Sequence, residues 1–214
     1  MKFEIILADP PWPYQGYAKK EGWRTSVSHY KTMSIDDIKS LNIASIAAEN
    51  CALFLWSTGA MLPTTIAIME VWGFRYKTMG FVFIKTNKDG TYKKGMGWWT
   101  RQNAEFCLLG LRGQPRRVDA SVHSVVVAPF TRHSAKPPIV RRRIVQLMGD
   151  VPRVELFARQ ENEYVEGWIR TGLECDGMDI RDFIRMCNAE PDGGSSSARL
   201  HNRIVQNAPI IRTD

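Results

Sequence analysis

Apolar residues along this chain follow two patterns, continuous runs and helical spacings, and the two patterns alternate. Apolar runs predict six strands, over residues 3–8, 51–56, 74–85, 104–111, 122–127 and 153–158. Helical spacing predicts three helices: one capped by Ser34, one over 60–72 that ends at Gly73, and one from Pro137 to just before Gly149. This alternation predicts an α/β fold, a three-layer sandwich with a mostly parallel central sheet.

Two long segments show neither pattern and are predicted to be loops. Residues 13–33 are polar and carry aromatic side chains, and residues 86–103 are rich in Gly, Lys and Trp. Long loops in a compact domain are usually binding loops or lids, so both are candidate functional segments. A Gly-Gly-Ser-Ser-Ser stretch predicts a flexible linker, which divides the chain into a domain over 1–190 and a linker with a short tail over 191–214.

Length and composition narrow the class of protein. A chain of 214 residues suits one Rossmann-sized domain, and no window approaches the ~20 apolar residues of a membrane span. We expect no membrane partner, and the N-terminal apolar run is too short for a signal peptide. Cys51 and Cys107 lie in apolar runs, which predicts free buried thiols and neither disulfides nor a metal site. Free thiols indicate a reducing compartment, so we expect a cytoplasmic location. The Gly-x-Gly-x-x-Gly and phosphate-loop motifs are missing, which argues against dinucleotide and ATP binding.

The most informative motif, Asp9-Pro10-Pro11-Trp12, directly follows the first predicted strand. Prolines cannot continue a sheet ladder, so Asp9 is expected at the strand's carboxyl end, where open α/β sheets bind ligands. A carboxylate and the Pro10 carbonyl can accept both N–H bonds of an exocyclic amine and stabilise the positive charge that develops as its nitrogen attacks a methyl group. Trp12 offers a face for a base turned out of its stack. The alternative is a proline-rich turn with an aromatic anchor.

Further motifs follow this tetrapeptide in a fixed order. They are Tyr30-Lys31-Thr32-Met33-Ser34, Leu53-Phe54-Leu55-Trp56, Gly97-Trp98-Trp99-Thr100-Arg101, Glu105-Phe106-Cys107, His133-Ser134-Ala135-Lys136-Pro137 and Glu155-Leu156-Phe157-Ala158-Arg159. In these motifs the chain resembles the MT-A70-like adenine N6 methyltransferases, which include the catalytic subunit of the eukaryotic messenger-RNA adenosine methyltransferase and bacterial and phage DNA-modifying enzymes. The likeness extends from about Ile5 to Glu174.

The resemblance implies a Rossmann-like methyltransferase that uses S-adenosylmethionine to methylate the N6 amine of adenine in nucleic acid. Because the compact chain is more similar to the bacterial and phage members, we expect DNA rather than RNA. The implied catalytic residues are Asp9, Pro10, Pro11 and Trp12, and the implied substrate residues are Tyr30, Glu105 and Lys136. The implied cofactor residues are Asp9, Lys136, Glu155, Arg159, Asn162, Glu174, Asp179 and Ile180.

Three of these charged residues also have simple structural explanations. Glu155 lies in an apolar strand and needs a partner, which is either ribose hydroxyls or an ion pair with Arg159 or Arg153. Glu105 either lies near the substrate or pairs with Arg101. Lys136, just before the last predicted helix, either contacts a ligand carboxylate or phosphate or is solvated.

The chain departs from the family pattern in three places. In eukaryotic members an Asp-Ile segment that contacts the cofactor's adenine precedes the tetrapeptide, whereas Asp179-Ile180 follows it here, which predicts a circularly permuted order. The alternative is that Asp179 only caps a helix. Leu173 stands where the family usually has Asn, and Glu161 stands where some relatives have His.

The excess of basic residues suggests the class of partner. A net charge of +7 and a pI near 9.4 suit a polyanion, and between residues 112 and 143 the only acidic residue is Asp119. Basic loops with stacking side chains fit a nucleic-acid strand, so we assign substrate contacts to Lys85, Lys93, Lys94, Trp98, Trp99 and Arg101. For Arg141, Arg142 and Arg143 the alternative is a solvated helix face.

Three hypotheses about function follow. The first is an active adenine methyltransferase, and the second is a catalytically silent nucleic-acid-binding subunit of the same fold. The third, a small-molecule N-methyltransferase, is disfavoured by the basic surface. The intact tetrapeptide and the intact segment from Glu155 to Asn162 favour activity. The resemblance also allows a homo- or hetero-oligomer.

Overall fold

The computed structural model describes residues 1–13, 32–95, 97, 99–131, 135–159 and 167–189, which form seven strands and four α-helices. The strands are β1 (Phe3–Ala8), β2 (Ala47–Ser57), β3 (Arg75–Thr86), β4 (Ala104–Arg112), β5 (Val125–Pro129), β6 (Arg153–Leu156) and β7 (Ile169–Thr171). The helices are α1 (Ile35–Lys39), α2 (Leu62–Val71), α3 (Ile139–Met148) and α4 (Ile180–Asn188).

The strands form one sheet in the order β5-β3-β4-β2-β1-β6-β7. The pairs β1–β2, β1–β6, β6–β7 and β3–β5 are parallel. β4 runs antiparallel to both of its neighbours, β2 and β3. The sheet is therefore parallel apart from β4, which confirms the predicted mostly parallel sheet.

Helices cover both faces of this sheet, because successive strand residues point to opposite sides. On β1, Ile6 and Ala8 belong to the apolar cluster that includes residues of α1, α2 and α4, whereas Ile5 and Leu7 belong to a second cluster with α3. The sheet is thus the middle layer, and the predicted three-layer α/β sandwich is confirmed.

The structure differs from the predicted elements mainly where elements are short. Ser34 caps α1 as predicted, its side chain accepting a hydrogen bond from the Asp37 N–H at 3.0 Å, but α1 has only five residues. The strand predicted over 122–127 is β5, which begins later, at Val125. The sequence pattern missed β7, which at three residues is too short to show an alternation. Helical spacing did not predict α4, but the alternative that Asp179 caps a helix is correct, because Asp179 is the N-cap of α4.

The remaining global predictions concern cysteines, metals and membranes. All four cysteines are free thiols, and Cys51 and Cys107 are buried, as predicted. The residues that the structure describes contain no metal-ligand cluster of three or more His, Cys, Asp or Glu. None of the described helices is both long and apolar enough to cross a membrane. The tail over 191–214 lies outside the described residues.

Sequence-distant residues meet at the carboxyl edge of the parallel strands. Asp9 follows the end of β1, and Lys85 lies near the end of β3. Because β4 is antiparallel, its first residues reach the same edge, and Glu105 pairs in register with Phe83. This edge therefore collects the charged residues that the sequence motifs single out.

Candidate active site

Four charged side chains of alternating sign form a continuous chain at the carboxyl edge. The Lys136 ammonium, just before α3, donates to Asp9 Oδ2 at 2.7 Å and lies 3.1 Å from Glu105 Oε2. Lys85 donates to the other Glu105 oxygen, Oε1. Each of these side chains is at most 20% exposed, so the ion pairs are largely shielded from water.

Burial and neighbouring charges determine the protonation states of this group. Burial raises the pKa of Asp9, with a further contribution from Glu105, while Lys136 opposes the shift. Burial also acts to raise the pKa of Glu105, but the ammonium groups of Lys136 and Lys85 outweigh it, and the pKa is lowered. Burial disfavours the charged form of Lys136, yet Asp9 and Glu105 raise the pKa of its ammonium. Lys136 is therefore a permanent cation near neutral pH.

Glu105 does not pair as the sequence suggested. The predicted structural alternative, an ion pair with Arg101, is wrong: Arg101 is exposed, whereas Glu105 contacts Lys85 and Lys136. The correct partners come from the end of β3 and the start of α3, which sequence spacing cannot bring together. Lys136 is likewise not a solvated lysine, because it is held between Glu105 and Asp9.

The Asp-Pro-Pro-Trp segment is anchored through its tryptophan and closed by an internal hydrogen bond. The indole N–H of Trp12 donates to the Trp56 carbonyl of β2 at 3.1 Å, and the Pro10 carbonyl accepts from the Trp12 backbone N–H at 2.8 Å. Trp12 is only 8% exposed, so most of the ring face predicted for a base is covered by the core. Its observed role is that of the aromatic anchor. Tyr30, predicted to share that pocket, lies outside the described residues.

A cavity of about 480 Å³ opens beside Asp9, between the sheet edge and the helices α1 and α4. Of the predicted cofactor residues, it brings together Asp9, Arg159, Glu174, Asp179 and Ile180. It does not include Glu155, and Lys136 reaches it only through Asp9. Asn162 and Glu161 lie outside the described residues.

The cavity wall combines an arginine with several carboxylates. Arg159 Nε lies 3.6 Å from Glu174 Oε2, and Asp179 accepts a hydrogen bond from the Arg181 N–H at 2.8 Å. Asp179 therefore caps α4 and also lines the cavity, so its two interpretations are compatible. Sequence reasoning missed Asp37 and Arg181, which join α1 to α4 at the cavity through a 2.8 Å ion pair.

Glu155 forms a buried ion-pair network on the opposite face of the sheet. Its carboxylate accepts two hydrogen bonds from Arg141, at 2.8 and 2.9 Å, and one from Arg170 at 3.0 Å. The ion pair suggested by the sequence, with Arg159 or Arg153, is wrong because the partners come from α3 and β7. Arg153 instead pairs with Asp150 at the amino end of β6, at 2.6 Å.

Comparison with known proteins identifies the family of this chain. The family model described as MT-A70 matches residues 3–174, which include Asp9, Glu105, Lys136 and Arg159. The chain belongs to the MT-A70 family.

Several named relatives agree with this membership. The chain is 32% identical over 192 residues to the Type II methyltransferase M.MunI of Mycoplasma sp, covering 81% of this chain and 78% of that protein. It is 29% identical over 181 residues to the N(6)-adenosine-methyltransferase MT-A70-like protein of Arabidopsis thaliana, covering 82% of this chain and 24% of that protein. It is 28% identical over 198 residues to the human N(6)-adenosine-methyltransferase catalytic subunit METTL3, covering 90% of this chain and 32% of that protein. The chain thus spans about a third or less of these two eukaryotic relatives. The predicted family, and with it the methyltransferase class, is confirmed.

The MT-A70 match ends before α4, although α4 helps to form the cavity. Asp179, Ile180 and Arg181 all line the cavity and all follow the last matched residue, Glu174. Asp179 and Ile180 therefore line the same cavity as Asp9, and their contact with the cofactor's adenine stays a prediction.

The basic segments of this MT-A70 protein divide into exposed and buried parts. Lys94 and Trp99 are exposed, Trp99 almost fully at 99%. Lys93 is partly buried, its ammonium 4.3 Å from the centroid of the Phe130 ring. The solvated face suggested for α3 is wrong at Arg141, which is 2% exposed and bound to Glu155. Trp98 lies outside the described residues.

Proposed function

We propose that this protein transfers the methyl group of S-adenosylmethionine to the exocyclic N6 amine of adenine in a nucleic acid. The observation that carries the proposal is the position of Asp9, which belongs both to the wall of the 480 Å³ cavity and to the charged chain at the sheet edge. One carboxylate can therefore serve a bound cofactor and a target amine together. Family membership supports the same chemistry.

The cavity residues fit S-adenosylmethionine. The volume of the cavity lies in the range of about 300–1,000 Å³ that is typical of small-molecule sites. Arg159 suits the carboxylate of the methionine part, while Glu174 and Asp179 suit hydroxyl and amino groups. When bound, the cofactor supplies an electrophilic methyl group on a cationic sulfur. The Asp9 carboxylate favours that positive charge.

Asp9 and Pro10 activate the amine by accepting its hydrogen bonds. The adenine amine is a poor nucleophile because its lone pair is delocalised into the ring. Accepting its two N–H bonds at Asp9 and at the Pro10 carbonyl favours a tetrahedral nitrogen and stabilises its developing positive charge. The Trp12 backbone N–H uses one lone pair of the Pro10 carbonyl, and a carbonyl oxygen has two. A cofactor held by Arg159, Glu174 and Asp179 would supply the methyl group, and the methylated amine would release to solvent one of the protons that it donates in hydrogen bonds to Asp9 and Pro10.

Lys136 and Glu105 set the charge of Asp9 for this step. Lys136 contacts Asp9 at Oδ2, and the carboxylate has a second oxygen with which to accept from the amine. The ammonium also opposes the pKa increase that burial causes at Asp9, and so favours the ionised carboxylate. Glu105 and Lys85 hold Lys136 in place from the other side.

DNA is the polymer that the observations favour. The match to a type II methyltransferase covers 78% of that protein, whereas the match to METTL3 covers 32%. RNA is the second candidate, because the eukaryotic relatives are named N(6)-adenosine-methyltransferases.

The direct test is to incubate the protein with isotope-labelled S-adenosylmethionine and separate pools of duplex DNA, single-stranded DNA and RNA. The polymers are then digested to nucleosides, and the labelled nucleoside is identified by mass spectrometry. We expect N6-methyldeoxyadenosine from DNA. Label only in N6-methyladenosine would select RNA, label on another nucleoside or on none would contradict the proposal, and binding of nucleic acid without methylation would indicate a silent subunit.

A further inference from the structure

We propose that the Arg141–Glu155–Arg170 network is a positioning device for the cofactor cavity, and that Glu155 acts through Arg170 rather than as a ribose ligand. The inference rests on the proposed function, because it concerns the cavity assigned to S-adenosylmethionine. The three residues come from α3, β6 and β7.

The direction of the Glu155 side chain excludes it from the cavity wall. Val154 and Leu156, its neighbours on β6, belong to the apolar cluster on the α1, α2 and α4 face. Alternate strand residues point to opposite faces, so Glu155 points towards α3, where it meets Arg141. The cavity lies on the other face and is lined by Phe157, Ala158 and Arg159 instead.

Arg170 connects the buried carboxylate to that wall. Residues 155 and 170 are direct neighbours in the β6–β7 register. The guanidinium of Arg170 donates to Glu155 Oε2 at 3.0 Å and to the backbone carbonyl of Arg159 at 2.5 Å. A planar guanidinium with two fixed acceptors transmits position better than a flexible ammonium does. The two hydrogen bonds from Arg141 fix Glu155 on the α3 side of the sheet.

The wall that Arg170 holds has a backbone that needs such support. Between Glu155 and Arg159 the chain passes through Phe157 at φ 59°, in the left-handed region that residues other than glycine rarely adopt. Such a conformation persists when the surroundings over-determine it. Here the Ala158 N–H donates to the Thr171 carbonyl at 2.8 Å, and the Arg159 carbonyl accepts from Arg170. The Arg170 contact thus fixes the carbonyl of the cavity residue Arg159, in addition to the backbone bridge between Arg159 and Glu174.

The test measures the affinity for S-adenosylhomocysteine, the demethylated product, by calorimetric titration of the full chain. We expect Arg170→Met and Glu155→Gln each to raise Kd by about tenfold, because a misplaced wall loses its contacts with the ligand. The Kd of the double variant should lie within about twofold of the larger of the two single-variant Kd values, because both substitutions break the same connection. Multiplying effects, or a loss confined to Glu155→Gln, would show that Glu155 is a direct ligand and would overturn the proposal.

Arg153→Met is the matched control. Arg153 is a buried arginine of β6, the strand of Glu155. It pairs with Asp150 at the amino end of β6 and does not line the cavity. It should lower the thermal unfolding midpoint as Arg170→Met does, while leaving Kd unchanged. A Kd increase in Arg153→Met equal to that in Arg170→Met would mean general destabilisation and would also overturn the proposal.

Two further outcomes are distinguishable. If Arg170→Met does not fold, Arg170→Lys replaces it. Arg170 reaches Glu155 through Nε and the Arg159 carbonyl through Nη2, and a lysine lacks this fixed fork, so the same loss is expected. An unchanged Kd contradicts the inference. Absence of binding by the wild-type protein would instead refute the proposed cofactor, and with it this inference.

Discussion

Asp9 is the residue at which the electrostatics and the proposed chemistry of this protein meet. Its carboxylate is shielded from water, lies 2.7 Å from the Lys136 ammonium and lines the cavity. Burial and Glu105 raise the pKa of Asp9, and Lys136 lowers it. The proposed mechanism needs the ionised Asp9 carboxylate. Removing Lys136 and removing Glu105 should therefore shift the pH dependence of activity in opposite directions.

We therefore predict opposite shifts in the acid limb of the kcat/KM profile for methyl transfer, which reports the free enzyme. In the wild type this limb should lie above the ordinary aspartate pKa of 3.8, since activity rises with pH as the raised Asp9 group ionises. Lys136→Met removes the group that lowers the pKa, so the limb should move to higher pH. Glu105→Gln removes a group that raises it, so the limb should move to lower pH. Shifts in the same direction would contradict this account of Asp9.

At the scale of elements, two buried tryptophans tie loops and helices to carbonyl groups. The Trp12 indole N–H donates to the Trp56 carbonyl and so attaches the Asp-Pro-Pro-Trp segment to β2. The Trp72 indole N–H donates to the Ile38 carbonyl at 3.0 Å and attaches the end of α2 to α1. The two contacts are alike in chemistry, but only the first lies beside Asp9.

This pair allows stability to be separated from activity. Trp12→Phe and Trp72→Phe each lose one hydrogen bond and part of a buried ring, so each should lower the free energy of unfolding by about 2 kcal/mol. Trp12→Phe should also lower kcat by about tenfold, because Asp9 and Pro10 lose their anchor. Trp72→Phe should leave kcat unchanged at a temperature where both variants are folded. Equal kcat values measured for both variants would show that the anchor does not position the catalytic segment.

The element scale also shows what a sequence can and cannot predict. The apolar runs identify six of the seven strands, because a strand buried on both faces carries a strong local signal. β7 is missed because three residues are too few for a pattern. Motif resemblance groups Asp9 with Arg159 and Glu174, which line one cavity, but it does not supply the partners of Glu105 and Glu155. Ion pairing depends on which side chains the sheet register and α3 bring together, and near neighbours in sequence are the wrong choice for both glutamates.

At the scale of the whole molecule, some of the basic residues behind the net charge of +7 form internal ion pairs, and others are exposed. Arg141, Lys136 and Lys85 are used internally, each in an ion pair with a glutamate. Lys93 and Lys94 lie where the chain after β3 folds back on it, the Lys93 N–H donating to the Lys85 carbonyl at 2.9 Å. This brings the exposed charge of Lys94 near the carboxyl edge, where a polyanion would approach Asp9.

Nucleic-acid affinity should therefore fall steeply with salt concentration. Five phosphate contacts would give a log–log slope of about −4.5 on duplex DNA and about −3.5 on a single strand. Replacing both Lys93 and Lys94 by alanine should make the slope shallower by up to about two units without changing S-adenosylhomocysteine affinity. The matched control is the Arg75→Ala, Lys77→Ala pair, which removes two exposed cations at the opposite end of β3 and should leave the slope unchanged. A flat wild-type salt dependence would favour a small-molecule substrate.

The measurement that tests the central claim most directly compares N6-methyladenine formation by the wild type and by Asp9→Ala at saturating labelled S-adenosylmethionine and nucleic acid. Removing the carboxylate that accepts from the amine should lower kcat by on the order of 10² or more. Circular dichroism and thermal unfolding should show that the variant stays folded, because Asp9 lies at the sheet edge rather than in the apolar core. A folded Asp9→Ala variant that forms N6-methyladenine at the wild-type rate would contradict the account.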